Sequence, residues 1–388
     1  MKGSCAVIAM YTHVEGYPPS LNAIQRLSSL FDLVVVVHRN TMGDTWVFPS
    51  NVKLITTGSL TSFSDVKKKS GLWKSLSFIR FVMLLMRTVR SYRPNWILIH
   101  EPIALLALWI VRKSYFGKYY LWYHNHDVIE GHESFLFRLA FKAQNSLFDK
   151  LDIFSLPADE RKIHFPMNRL NGKYFNLPNY PGVYLYNRYH KPRKIETDIR
   201  VIFQGHIGGG HCLEEVIDLL TDHTFPYNLT LVLKGFKDEA YFKKLMDKAK
   251  ELKVEDKVIY FGVSGYQSVP AVASTCHIGI GIHTKTDVMN STLGKASNKI
   301  YESAALGLPV LLFDNPHFKD HLGKYEWAIF TDGTPQNLKR VILETVAQYK
   351  RLSLAARQDF LTELNFEKAF QPAYEYVFNL NGFNKDKQ

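Results

Sequence analysis

The sequence predicts an α/β protein of two doubly wound, Rossmann-like domains in tandem, and three observations carry that prediction. The chain has 388 residues, too many for one ordinary core and enough for two domains of roughly 180 residues each. Short β-branched or aromatic runs alternate with longer helical patterns, the mark of βαβ units and mostly parallel sheets. The alternation breaks once, near the middle, and then resumes.

The first series places strands at 6–10, 33–38, 52–55, 96–100, 119–124 and 153–156. It ends after Leu177, where Pro178-Asn179-Tyr180-Pro181-Gly182 and a polar, basic stretch at 187–194 show no apolar periodicity. The second series places strands at 200–203, 229–233, 258–261, 278–282, 310–313 and 328–330. The expected division is a first domain at 1–186, a linker at 187–196, a second domain at 197–360 and a terminal helical segment at 361–388.

Composition narrows the class. Cys5, Cys212 and Cys276 are odd in number and scattered, giving neither a disulfide framework nor metal-ligand spacing. The expectation is a reducing, cytoplasmic setting with no metal. The first apolar run is too short for a secretory core, and no stretch approaches the roughly 18 apolar residues that cross a bilayer.

The net charge of +12 is lopsided, since residues 1–186 hold 22 Lys and Arg against 12 Asp and Glu. Within 66–100 there are eight basic residues (Lys67, Lys68, Lys69, Lys74, Arg80, Arg87, Arg90 and Arg93) and no acidic one. A helix at 72–91 reads as amphipathic, with Trp73, Leu76, Phe81, Leu84 and Leu85 on its apolar side and Lys74, Ser77, Arg80, Arg87 and Ser91 on its polar side. The expected partner of 67–93 is an anionic membrane surface, each cation contributing roughly 1 kcal/mol. A helix that merely packs on the sheet with its basic residues in water fits the same pattern. Nucleic acid is not expected as a partner, because no recognised motif accompanies the charge.

The chemistry concentrates in SNKIYESAALGLPV at 297–310: a polar start at Ser297 and Asn298, a helix, then Gly307 and Pro309 before a strand. The helix start offers unpaired N–H groups and a positive dipole end for a diphosphate, with Lys299 adding a full charge. Glu302, one turn in, can accept hydrogen bonds from neighbouring ribose hydroxyls. The plainer alternative is a carboxylate that only offsets the dipole, with Gly307 and Pro309 as helix-to-strand punctuation. After the strand at 200–203 come Gly205, His206, Gly208, Gly209, Gly210 and His211, a turn that lets backbone approach phosphates. No strand leads into a dinucleotide fingerprint, so a nicotinamide enzyme is not expected.

Glu302-Ser303-Ala304-Ala305-Leu306-Gly307-Leu308-Pro309-Val310 resembles the E-A-x-A-x-G-x-P-V signature of family 4 GT-B glycosyltransferases (glycosyl transferases group 1), of the bacterial polysaccharide-assembly type. Leu177-Pro178-Asn179-Tyr180-Pro181, Phe203-Gln204-Gly205-His206 and Leu231-Val232-Leu233-Lys234-Gly235 resemble other segments of that family in order and spacing. The resemblance covers most of the chain, strongly from 177 to 313. It implies a GT-B fold whose two domains face a central cleft, a nucleotide-sugar donor such as a UDP- or GDP-sugar as substrate rather than cofactor, and retaining, metal-independent hexosyl transfer. A terminal helix crossing back to the first domain is also implied, and the segment at 361–388, which Pro372 interrupts, is its candidate.

Many members carry a glutamate eight positions before the matched one, where this chain has Gly294. Asp287, Asn290 and Ser291 are the polar substitutes for reading the sugar, and Gly294→Glu or Asn290→Ala is expected to alter donor selectivity. Relatives neutralise the diphosphate with a basic pair, for which Lys234 and Lys299 are the substitutes here. The incomplete glutamate pair also leaves room for a GT-B epimerase or a saccharide-binding protein without turnover.

In the first domain the strand at 119–124 runs into Asn125-His126-Asp127, at the carboxyl end of a parallel strand where such sheets bind ligands. The family has a histidine there, near the donor sugar and acceptor. His126 with Asp127 is the expected exposed pair, and His124 joins them if the strand continues through Asn125. His100 and Glu101 end a neighbouring strand. Glu15, in the loop 12–20, is the candidate for an acceptor hydroxyl, with a solvated loop carboxylate as the plainer alternative. The implied acceptor is a saccharide, or a polyprenyl-diphosphate-linked one on the inner face of the cell membrane.

Overall fold

The computed structural model describes residues 4–39, 46–58, 69–115, 117–131, 134–284 and 293–381. They form two compact units, 1–178 with 369–388, and 179–368. Residues 179–186 and 361–368 therefore group with the second unit.

Among the described residues, the first unit holds a seven-stranded parallel sheet. Its strands are β1 (Cys5–Ala9), β2 (Leu33–Arg39), β3 (Val52–Thr57), β4 (Trp96–His100), β5 (Tyr120–His124), β6 (Ile153–Leu156) and β7 (Lys173–Asn176). They lie in the order β3-β2-β1-β4-β5-β6-β7, which reverses direction between β1 and β4. The central strands are buried along their whole length, so their apolar runs are continuous rather than alternating. The edge strand β3 is only half-buried.

The second unit repeats the plan with β8 (Asp198–Gln204), β9 (Asn228–Lys234), β10 (Val258–Tyr260), β11 (Ile278–Ile280), β12 (Val310–Phe313) and β13 (Ala328–Thr331). The order is β10-β9-β8-β11-β12-β13, reversing between β8 and β11. In doubly wound sheets ligands bind outside the carboxyl ends of strands at such reversals.

The helices start where the sequence supplies caps. Ser70, Ser134, Asp238, Asn315 and Thr334 each accept a hydrogen bond from the N–H three residues on. Asp238→Ala is expected to lower the urea stability of the second unit by about 1 kcal/mol, and an unchanged midpoint would mean that the cap does not stabilise this helix. The last helix, Phe366–Leu380, supplies residues from Ala369 onward to the first unit. There Phe370 stacks on Trp122 with centroids 5.6 Å apart, Arg26 donates to Gln371 Oε1 at 2.9 Å, and Trp96 donates to Asn381 Oδ1 at 2.9 Å.

The helix Gly71–Tyr92 faces differently from the expectation. Ser77, Phe78, Phe81, Leu85, Thr88 and Val89 are buried, whereas Leu76, placed on the apolar side from sequence, is exposed. Packing selects one of two apolar stripes, and the second, Leu72, Leu76, Ile79 and Met83, is left at the surface. Lys67 and Lys68 lie outside the described residues. Among the described residues no helix is long and apolar enough to cross a membrane.

Candidate functional site

In the second unit, the ends of β8, β9 and β10 approach one another through glycines. Gly205 N–H donates to the Lys234 carbonyl at 2.9 Å, and Gly235 N–H to the Gly262 carbonyl at 3.0 Å. Gly235 has φ +127°, and a Cβ on it would lie 2.1 Å from the Gly205 oxygen. Only glycine fits there.

The helix Asn298–Ala305 begins beside this turn with no side-chain cap, so its first N–H groups are available to an anion. Ser297 at its start is buried, and the buried Asn298 Oδ1 has no hydrogen-bond partner. Lys299 lies against the turn, its Nζ 4.3 Å from the Phe203 ring centroid, and a Cβ on Gly205 would come within 3.5 Å of that nitrogen.

One turn further, Glu302 is buried and accepts from Gln204 Nε2 at 2.6 Å and from the hydroxyls of Tyr186 and Tyr266. Burial pushes its carboxyl up to about 7, opposed by those hydrogen bonds and by Lys299. Burial likewise drives Lys299 down to about 7, with Glu302 pulling the other way. Both groups therefore change charge near neutrality. Three of the carboxylate's roughly four acceptor positions are occupied, which holds the group rigidly and leaves room for about one more donor.

The other basic candidate is used elsewhere. Lys234 is buried and donates to the Gly262 carbonyl at 3.1 Å and to Ser264 Oγ, tying down the segment after β10. His206 is exposed, and its ring lies 3.3 Å from where a Gly208 Cβ would be; Gly209 meets only Tyr241, at 3.8 Å. His211 bonds the Ile282 carbonyl at 2.8 Å. Asp287, Asn290 and Ser291 lie outside the described residues.

Gly294 is enclosed. Its N–H donates to His317 Nε2 at 2.8 Å, and a Cβ would fall 2.4 Å from His321 Cδ2. A glutamate there requires His321 to move, so Gly294→Glu does not test sugar recognition cleanly.

In the first unit, His100 from β4 and His124 and His126 around the end of β5 meet in one cluster. His126 is 5.2 Å from His100 in a stacked arrangement and 4.4 Å from His124, edge to face, between ring centroids. β5 ends at His124 and the chain bends at His126, yet both imidazoles reach the cluster, while the Asn125 amide donates to the Tyr123 hydroxyl. Against the expected exposed pair, His126 is buried at 6% exposure and only Asp127 is exposed. Arg161 donates to the His126 carbonyl. Desolvation holds all three imidazoles below their ordinary value, His124 at about 3.

Glu15 is also buried, its Oε1 accepting from the Trp46 N–H at 2.8 Å. Glu101 sits beyond β4 at φ +71°, and burial raises its carboxyl to about 8.

Sequence reading missed Gln204, Tyr186 and Tyr266 as partners of Glu302. Gln204 lay inside a quoted segment, whereas the two tyrosines sit in a four-residue helix and a three-residue 3-10 turn, too short to carry a periodic or motif signal.

Two doubly wound sheets of seven and six strands, the second with a glycine turn after β8 and a helix carrying a buried glutamate beside it, define the GT-B fold. Several solved structures share it. Sucrose-phosphate synthase from Thermosynechococcus elongatus matches with TM-score 0.69 and 12% identity over 98% of this chain and 100% of that one. Anabaena HepE, solved with UDP and glucose, matches with TM-score 0.65 and 15% identity over 97% and 100%. WaaG, a glycosyltransferase involved in lipopolysaccharide biosynthesis, matches with TM-score 0.63 and 14% identity over 96% and 99%. No protein-family model matches the chain, and no curated protein matches its sequence.

Proposed function

We propose that this chain is a glycosyltransferase that moves a hexosyl group from a UDP- or GDP-sugar to a saccharide or lipid-linked saccharide acceptor, with retention and without a resident metal, in cell-surface polysaccharide assembly on the cytoplasmic side. The observation that carries the reading is the arrangement around Glu302: a buried carboxylate one turn into an uncapped helix, beside Lys299 and the glycine-built ends of β8 and β9. The fold's occurrence in HepE with UDP and glucose bound supports it.

In this reading the donor diphosphate lies at the N-terminal end of Asn298–Ala305, near Ser297, Asn298, Lys299 and the Gly205–Gly209 turn. Glu302 takes a ribose hydroxyl, while Gln204, Tyr186 and Tyr266 fix its orientation. His126 and Asp127 are assigned to the sugar and acceptor, with His124 and His100 packed behind. Lys234 and Glu15 have positioning roles, because their charged ends are engaged with backbone and serine. Calorimetric titration with UDP, GDP and their hexosyl esters tests the assignment. Saturable binding of one nucleotide class is expected, and binding of none overturns it.

The diphosphate of a nucleotide sugar keeps its charge across neutrality, but Lys299, depressed to about 7, does not. Donor affinity is therefore expected to fall several-fold between pH 6.5 and 8.5 as Lys299 loses its proton, less than the roughly tenfold per unit that one proton allows, because Glu302 ionises over the same range and partly opposes the loss. Lys299→Arg flattens the profile, because arginine stays charged. An equally steep profile in that variant would assign the dependence to another group.

The membrane-bound acceptor is favoured by the surface of Gly71–Tyr92. Leu72, Leu76, Ile79 and Met83 recur at helical spacing and are 72%, 48%, 50% and 41% exposed. Arg80, Arg87 and Arg90 fall within about a quarter turn of that row. Apolar side chains rimmed by cations suit an anionic bilayer surface. Leu76→Ser with Ile79→Ser is expected to weaken co-sedimentation with phosphatidylglycerol vesicles roughly tenfold, leaving soluble-donor binding unchanged. Equal sedimentation of the variant would remove this helix as the contact.

A further inference from the structure

The geometry points to a binding site for a divalent transition-metal ion of the zinc class, formed in the first unit by His100, His124 and His126 with Ser20 at the fourth corner. Ser20 Oγ is 3.1 Å from His100 Nδ1 and 3.1 Å from His126 Nε2, and those two nitrogens are themselves 3.1 Å apart. The three atoms form a nearly equilateral triangle. Nitrogen–zinc bonds of about 2.05 Å put tetrahedral neighbours roughly 3.3 Å apart and octahedral ones roughly 2.9 Å apart. The observed edges fall between, so an ion about 1 Å above the triangle's plane reaches each corner at bonding distance. His124 contributes a ring nitrogen within 4.8 Å of the other two histidine donors.

The cluster is buried, and one of its rings is fixed from outside. The four residues are 0–6% exposed. His124 Nδ1 is 2.8 Å from Ser155 Oγ, which accepts from Trp122 Nε1 at 2.7 Å, the kind of outer hydrogen bond that fixes a ligating imidazole. Three imidazoles without a carboxylate favour zinc, copper, nickel or iron over calcium or magnesium. Because His126 is also assigned to the sugar, a consequence resting on the proposed function is that the ion inhibits transfer rather than supporting it.

The test is binding, so its outcome is separate from turnover. The full chain, dialysed against chelator, is titrated with Co²⁺ while visible ligand-field absorption is recorded, and Zn²⁺ is then added to displace it. One saturable equivalent is expected. His100→Gln and His124→Gln, each checked for a native far-UV spectrum and melting temperature, should weaken binding more than tenfold, and Ser155→Ala roughly tenfold. Absence of a saturable band in the folded wild-type chain overturns the proposal, whether or not the chain transfers sugar. So does a band that a folded His100→Gln or His124→Gln variant keeps unchanged.

Discussion

Glu302→Ala is expected to abolish measurable nucleotide-sugar binding and to destabilise the second unit by about 3 kcal/mol, since each buried donor left unpaired costs about 1–3 kcal/mol. The carboxylate gathers Gln204 Nε2 and two tyrosine hydroxyls. Those hydroxyls lie 3.1 Å apart and can partly satisfy each other, but the Gln204 amide cannot. Glu302→Gln separates stability from charge. Gln204 Oε1 is buried without a partner, so a flipped Gln204 can accept from the new amide while its own nitrogen turns away. That variant is expected to keep its stability within about 1 kcal/mol and still bind donor at least tenfold more weakly.

The pH dependence supplies an independent check. A carboxyl raised to about 7 when folded binds a proton more tightly than in the unfolded chain. Its stabilising contribution is complete below about 4.5 and declines as pH rises to about 7. Lys299, depressed to about 7, acts in the adjoining window, where stability recovers as pH rises toward the ordinary lysine range. Wild-type urea midpoints for the second unit should therefore fall between pH 5 and 7, and Glu302→Gln should remove that fall. Equal slopes in the two proteins would place the titration elsewhere.

The sheet plan was legible because buried parallel strands read as unbroken apolar runs, and each central strand falls within a residue or two of its expected limits. β7 escaped because Lys-Tyr-Phe-Asn is short, half-exposed and without a β-branched residue. The exposed face of Gly71–Tyr92 escaped because that helix carries two apolar stripes, and sequence does not say which one the sheet takes. At the site, Glu302, Lys299 and the glycine turn were visible as types at fixed spacing along a strand and a helix. Lys234 illustrates the limit: its position at the end of β9 suits a phosphate ligand, but its ammonium bonds Gly262 and Ser264, which no local pattern announces. The histidine cluster has the same origin, since Ser20, His100 and His126 come from separate elements that only the strand order β1-β4-β5 makes neighbours.

The junction of β8 and β9 should be as intolerant as Glu302, for a steric reason. Gly235 adopts φ +127°, and an added Cβ would stand 2.1 Å from the Gly205 carbonyl oxygen and 2.9 Å from its carbon, both backbone atoms that no rotamer change can move. Alanine must therefore force the strand ends apart, breaking the Gly205 N–H to Lys234 bond and displacing the turn from Lys299. Backbone strain at such a φ costs of order 1–3 kcal/mol, and the lost hydrogen bond adds about 1 kcal/mol. Gly235→Ala is expected to lower the stability of the second unit by about 3 kcal/mol and its donor affinity by at least tenfold. Gly209→Ala is the control, because its Cβ would meet nothing nearer than the Tyr241 ring at 3.8 Å, and its stability should change by less than about 0.5 kcal/mol. If the two variants unfold at the same urea concentration, the close approach of the strand ends is not what shapes this site.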